Sequence, residues 1–96
     1  MYRLTRSPLV SKKFRVILPD GRKVDFGAKG YSDYTLHKDK ARMNRYIIRH
    51  QKRENWTKRG VATAGFWARW ILWSEPNLRA AIRKTQRVIG NKILYT

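Results

Sequence analysis

The chain has no cysteine. That excludes a disulfide framework, a thiolate nucleophile and a zinc site built on sulfur. Acidic residues are scarce: six Asp and Glu stand against 23 Lys and Arg in 96 residues, for a net charge of +17. Long apolar runs are missing as well. The most apolar stretch, residues 61–73, contains Arg69, whereas a membrane-crossing helix needs about 20 apolar residues. Residues 1–10 carry two arginines and a proline without an apolar run, so no signal peptide is expected there. MYRLTR does not fit a myristoylation signal, nor ILYT a prenylation signal.

Groups for chemistry are equally sparse. His37 and His50 do not share a helix face, and no HExxH pattern or third ligand accompanies them. The six acids are Asp20, Asp25, Asp33, Asp39, Glu54 and Glu75. They are scattered over turn, strand, helix and cap positions, which argues against a working carboxylate pair. The expectation is a protein that is not an enzyme, with no cofactor, no metal and no small-molecule substrate.

What is present is a core. Apolar residues make up 42% of the chain and aromatics 12%, a composition that disordered basic tails lack. A folded centre with a basic coat follows, and self-repulsion makes an anionic partner welcome. The reducing cytosol or nucleus suits a chain without cysteine.

The fold class read from the pattern is α+β: a small β-hairpin followed by about three helices, with extended N- and C-terminal arms. Residues 1–12 read as an arm, 13–90 as a single small basic domain and 91–96 as a tail. In the hairpin, 13–27, Phe14, Val16 and Leu18 alternate with Arg15 and Ile17, and Val24 and Phe26 alternate with Lys23, Asp25 and Gly27. Pro19-Asp20-Gly21 is the turn. Such a hairpin must pack on something, because alone it is marginal in water.

A helix is expected over about 36–53, with Ser32 or Asp33 as its cap. Leu36, Met43, Tyr46, Ile47 and His50 fall on one stripe. A shorter helix follows over 64–73, apolar nearly all round. Trp67, Trp70 and Trp73 step by three along it, as on one packed face. A third helix, 75–89, starts from Ser74-Glu75-Pro76 and stops at Gly90. Its apolar face includes Leu78, Ala81, Ile82, Thr85, Val88 and Ile89, and Arg79, Arg83, Lys84 and Arg87 form the other.

The clearest functional signal is a face of one sign. Lys38, Arg42, Arg45, Arg49, Lys52 and Arg53 fall within a stripe of about 100°, and Lys58 and Arg59 follow in the linker. Helix faces usually mix signs, because like charges at i,i+4 repel. These eight residues are the candidates for an anionic partner. Trp56, Phe66, Trp67, Trp70 and Trp73 are the candidate packing and interface anchors. Stacking on bases or lying at an anionic membrane interface are the alternative uses of those tryptophans. Gly27-Ala28-Lys29-Gly30 reads either as a turn leaving the hairpin or as a short phosphate-cradling loop.

The strings SKKFRVILPDGRKVDFGAKGYSDYT (residues 11–35), HKDKARMNRYIIRH, RENWTKRG and TAGFWARWILW resemble a family of short basic proteins encoded by nucleocytoplasmic large DNA viruses. The likeness covers about residues 11–75. The family is largely uncharacterised and offers no catalytic residues to carry over. The resemblance implies a virion component, made in the host cytoplasm, of a particle with a double-jelly-roll shell, an inner membrane and a DNA core. The function expected on that basis is a structural minor capsid protein that cements capsomers from the inner side of the shell. Its partners would be the major capsid protein and other minor capsid proteins, with the anionic inner membrane or viral DNA as further anions. A virion protein that binds and condenses nucleic acid, or a ribosomal-type RNA-binding protein, is the alternative.

Overall fold

A computed structural model describes all residues, Met1–Thr96. The hairpin forms where the alternation places it. Strand β2 (Lys12–Ile17) pairs antiparallel with β3 (Lys23–Ala28), so that Phe14 faces Phe26 and Val16 faces Val24. The turn closes through the Gly21 N–H donating to the Leu18 carbonyl at 2.9 Å, with Gly21 at φ 91°. Asp20 accepts the Arg22 backbone N–H at 3.0 Å.

The two arms are extended, and both belong to the sheet. Strand β1 (Tyr2–Arg6) lies antiparallel to β2, and β4 (Ile93–Tyr95) lies parallel to β1. The strand order is β3-β2-β1-β4. Within the segments 1–12 and 91–96, expected to be extended, residues 2–6 and 93–95 thus join the sheet. Tyr2 and Leu4 alternate with Arg3 and Thr5, and that short period is a strand signal once a partner exists. Tyr2, Leu4 and Ile93 are all buried.

The helical part differs from the expected three rods. The 36–53 segment breaks at Lys38, which takes the left-handed conformation at φ 56°. Helix α1 (Tyr34–His37) is capped by Asp33, whose carboxylate accepts the Thr35 N–H. Helix α2 (Lys40–His50) is capped by Asp39, which accepts from the Ala41 and Arg42 N–H groups. Two acids six positions apart both act as helix starts, so one helix becomes two. Residues 51–53 form a turn beyond α2. A 3₁₀ turn at Lys58–Gly60 follows.

Helix α3 (Ala64–Trp67) continues as a π-helical stretch, Ala68–Leu72. Its buried side chains are Phe66 and Trp67, then Ile71 and Leu72. They recur five apart, and the wider turn with i→i+5 bonds brings such positions onto one face. This displaces the expected three-residue step of tryptophans. Trp67 enters the core, whereas Trp70 and Trp73 lie half-buried at its margin.

Helix α4 (Leu78–Ile89) starts at Asn77, whose side chain accepts the Ala80 N–H at 2.8 Å. The expected cap, Ser74, instead donates its hydroxyl to the Trp70 carbonyl. Gly90 ends α4 in the left-handed conformation, as expected.

One face of the sheet packs on α3 and α4. The core joins Leu4, Val16, Phe26, Phe66, Trp67 and Ile71 with Ile89 and Ile93. Trp67 is fully buried, with its ring centroid 5.6 Å from that of Tyr2 and 5.2 Å from that of Phe66. Its indole N–H donates to the Val61 carbonyl at 2.7 Å. Gly27 marks a close approach. A Cβ there would meet Leu72 Cδ1 at 2.8 Å and Lys13 Cβ at 3.2 Å, and φ is 80°.

Trp67→Ala should cost about 3–5 kcal/mol in urea unfolding, the cost of emptying a core site of this size. Leu36→Ala, at a site 63% exposed, should stay within about 0.5 kcal/mol of the parent. An equal cost for both would place the core elsewhere.

Candidate functional site

All six acids are engaged within the chain. Asp25 accepts from Ser7 Oγ and from Arg15 Nε at 3.0 Å. Asp33, 2% exposed, holds Lys13 Nζ and caps α1. Asp20 pairs with Arg22, and Asp39 caps α2. Glu54 accepts the Trp56 indole N–H at 3.1 Å and lies 3.7 Å from His50. Glu75 lies 3.5 Å from Lys84. Four of the 23 Lys and Arg thus meet a carboxylate within 4 Å, which leaves 19 that meet none.

Three of the eight cation candidates form the helical stripe itself: Arg42, Arg45 and Arg49 project from α2 and are exposed. Lys52 and Arg53 lie in the turn after α2, and Lys58 and Arg59 in the 3₁₀ turn; all four are exposed. Lys38 does not belong to the stripe. Its ammonium donates to the Thr35 and Pro76 carbonyls, tying α1 to the segment before α4.

A second single-signed stripe lies outside those eight residues. Arg79, Arg83 and Arg87 follow at i,i+4,i+8 on α4, and all are exposed. Their spacing in the sequence is signal enough, because like charges four apart repel without a partner. The sheet face turned away from the helices adds Arg3 and Lys23, whereas Arg15 on that face is paired with Asp25.

The tryptophans are occupied with one another. Trp73 stacks on Tyr46 at 4.4 Å and 2°, and His50 stacks on Tyr46 at 4.3 Å. Trp56 lies parallel to Tyr46 at 6.4 Å. The Arg69 guanidinium sits 5.3 Å from the Trp56 ring and 4.7 Å from the Trp70 ring, and donates to the Trp73 carbonyl at 2.8 Å. The Trp70 indole N–H donates to the Trp56 carbonyl at 2.9 Å. Arg69 is thus an internal pin held by cation–π attraction. Burial pulls its pKa below the ordinary arginine value, with Tyr46 and Glu75 opposing. Phe66 and Trp67 lie in the core, so all five anchor candidates pack within this chain. Burial also raises the Tyr46 phenol, with Glu54 adding to the shift.

A cleft of about 600 Å³ opens between the sheet, the 28–33 loop and α2. Lys12, Lys13 and Tyr31 come from the sheet side, and Arg42, Tyr46 and Arg49 from α2. Leu72 and Trp73 line it from the α3 side. The GAKG segment borders this cleft, but Gly27 is required by packing against Leu72, which favours the turn reading. No group of three or more His, Cys, Asp or Glu is placed to hold a metal ion. No helix is long and apolar enough to cross a membrane.

A family model described as a family of unknown function, DUF5754, matches residues 2–50. The chain belongs to that family. The matched span runs from β1 through α2 and includes Lys12, Tyr31, Arg42 and Arg49 of the cleft. No curated protein and no solved structure matches the chain.

Two stability outcomes follow. Arg69→Ala should cost about 2–3 kcal/mol, because two indole faces lose their cation and a carbonyl is left without its donor. Arg69→Met keeps an apolar stem between the indoles but loses the same cation and donor, so it should cost nearly as much. Chemical denaturation of both variants checks this, and a much smaller cost for Arg69→Met would mean that the stem, and not the guanidinium, joins the rings.

The second concerns pH. Hydrogen bonds from Arg15 and Ser7 hold Asp25 below its ordinary 3.8. The folded pKa lies below the unfolded one, so the contribution is complete above the unfolded value and is lost as pH falls through the folded pKa. Stability measured from pH 5 down to 2 should fall less steeply in Asp25→Asn than in the parent.

Proposed function

We propose that this chain is a non-enzymatic virion protein of a large DNA virus that binds nucleic acid through its phosphate backbone, without reading sequence. The observation that carries this reading is the distribution of charge. All six acids are engaged internally, and the unpaired cations lie on α2, the 51–60 segment, α4 and the open sheet face. Partner surfaces on proteins are usually complementary patches with a core depleted of charge. A coat of one sign on several faces instead suits a polymer that offers the same anion in every direction.

The aromatic groups do not compete with this assignment. Trp67 lies in the core, and Trp56, Trp70 and Trp73 are half-buried against Tyr46 and Arg69, which supports a surface in which the cations rather than the indoles meet the partner. Binding then comes from Arg and Lys releasing counterions from the phosphates, which sets a steep salt dependence.

Cementing of the capsid shell is the second reading. It is favoured by a smaller groove of about 510 Å³, where the exposed apolar Leu36 and Tyr95 lie beside Arg6, Lys29 and Lys38. Apolar groups ringed by cations suit an acidic protein surface better than a phosphate chain.

Affinity for duplex DNA should fall linearly on logarithmic axes as salt rises. Replacing Arg42, Arg45 and Arg49 together by Gln should reduce the slope by about 2–3, at about 0.9 for each phosphate no longer neutralised. In intact particles, ultraviolet cross-linking should join peptides of residues 38–59 to DNA. An unchanged slope, or particle cross-links to the major capsid protein in place of DNA, would move the chain from the genome to the shell.

A further inference from the structure

The cleft between the sheet, the 28–33 loop and α2 has features that a plain backbone-binding surface does not need. The protein has five tyrosines. Tyr2 packs on Trp67, Tyr34 on His37, Tyr46 on Trp73 and Tyr95 on Phe14. Tyr31 alone has no aromatic ring beside it, and it is 74% exposed at the edge of the cleft. Gly30 precedes it at φ 92° in a turn closed by the Tyr31 N–H donating to the Ala28 carbonyl at 3.3 Å.

Charge in the cleft is arranged for an anion. Lys12, Arg42 and Arg49 line it, and none of them meets a carboxylate. Of its two acids, Asp33 is held through both carboxylate oxygens by Lys13 and Thr35, and Glu54 accepts the Trp56 indole N–H through Oε1. The three cations thus outnumber the one carboxylate oxygen, Glu54 Oε2, that has no partner. On α2, Arg42 and Arg49 are seven positions apart, so they stand on nearly the same side about 10 Å apart along the axis. Arg45 points some 60° away and does not line the cleft. The volume, about 600 Å³, falls within the ~300–1,000 Å³ of small-ligand clefts.

We infer that this cleft takes one unstacked nucleotide of a single-stranded nucleic acid, with the base against Tyr31 and the flanking phosphates at Lys12, Arg42 and Arg49. The inference rests on the nucleic-acid reading and adds to it a preference for single strands. A duplex keeps its bases stacked, so it would touch the cations and leave Tyr31 idle. Stacking on an aromatic side chain tolerates any base, so the site discriminates strandedness and not sequence.

The test compares anisotropy titrations of a 15-residue oligothymidylate and a 15-base-pair duplex at about 150 mM salt, where non-specific contacts are weak. Tyr31 is exposed, so Tyr31→Ala leaves the core intact, and circular dichroism checks its fold. Tyr31→Ala should weaken oligothymidylate binding about tenfold and leave duplex binding unchanged, with Tyr31→Phe close to the parent. Equal losses on both ligands, or no loss on either, would overturn the cleft as a nucleotide site while leaving the backbone reading standing. A parent chain that binds neither ligand would overturn both. Thymidine monophosphate should displace the oligonucleotide only in the millimolar range. Displacement at micromolar concentration would make the ligand a free nucleotide in place of a strand.

Discussion

Like-charge repulsion is the constraint around which this molecule is built. At +17 over 96 residues, every compact arrangement brings cations together, and only six carboxylates are available to offset them. The chain uses those carboxylates locally. Asp33 and Asp39 start helices, Asp20 supports a turn, and Asp25 ties β2 and β3 to Ser7. Cohesion comes instead from apolar burial around Trp67, where the sheet meets α3 and α4. Aromatic rings deliver large buried area per residue, which suits a chain with few other means to resist its own charge.

The same shortage determines what the surface can do. A carboxylate that caps a helix or supports a turn no longer balances a distant arginine, so whole faces are left with one sign. The tryptophans pack within the chain, Trp67 in the core and the other three half-buried with Arg69 beside two of them, and leave most of the exposed surface to Arg, Lys and a few exposed aromatic or aliphatic groups. Tyr31 stands out against that background because all other tyrosines are paired.

The sequence made the α+β class legible, because periods of two and of about 3.6 separate cleanly along it. The hairpin was readable to within a residue, since its turn residues and its alternation agree. The outer strands were not. Tyr2 and Leu4 make a period too short to stand out, and β4 has three residues. Breaking of the long helix was hidden because Asp39 reads equally as a helix residue or a cap. The π-helical stretch could not be seen because a period of five over nine residues resembles unbroken apolar character. The arginine stripe on α2 was legible as charge, but which of its members share a cleft with Tyr31 depends on how the 28–33 loop folds back, and spacing alone does not contain that.

Parallel pairing of β1 with β4 joins residues 2 and 93 across almost the whole chain. Strand β1 is an inner strand, yet its second neighbour, β4, lies far from it along the sequence. Ile89 and Ile93 join the core from that same distant region. Pairings this distant in sequence carry a loop-closure cost that slows folding, and here closure also concentrates positive charge. A polyanion that screens the charge lowers the barrier to that step and stabilises its product by mass action. If the proposed reading holds, ligand binding and the docking of the last strand act on the same equilibrium, and a nucleic acid would serve the chain as a counterion for folding as well as a target.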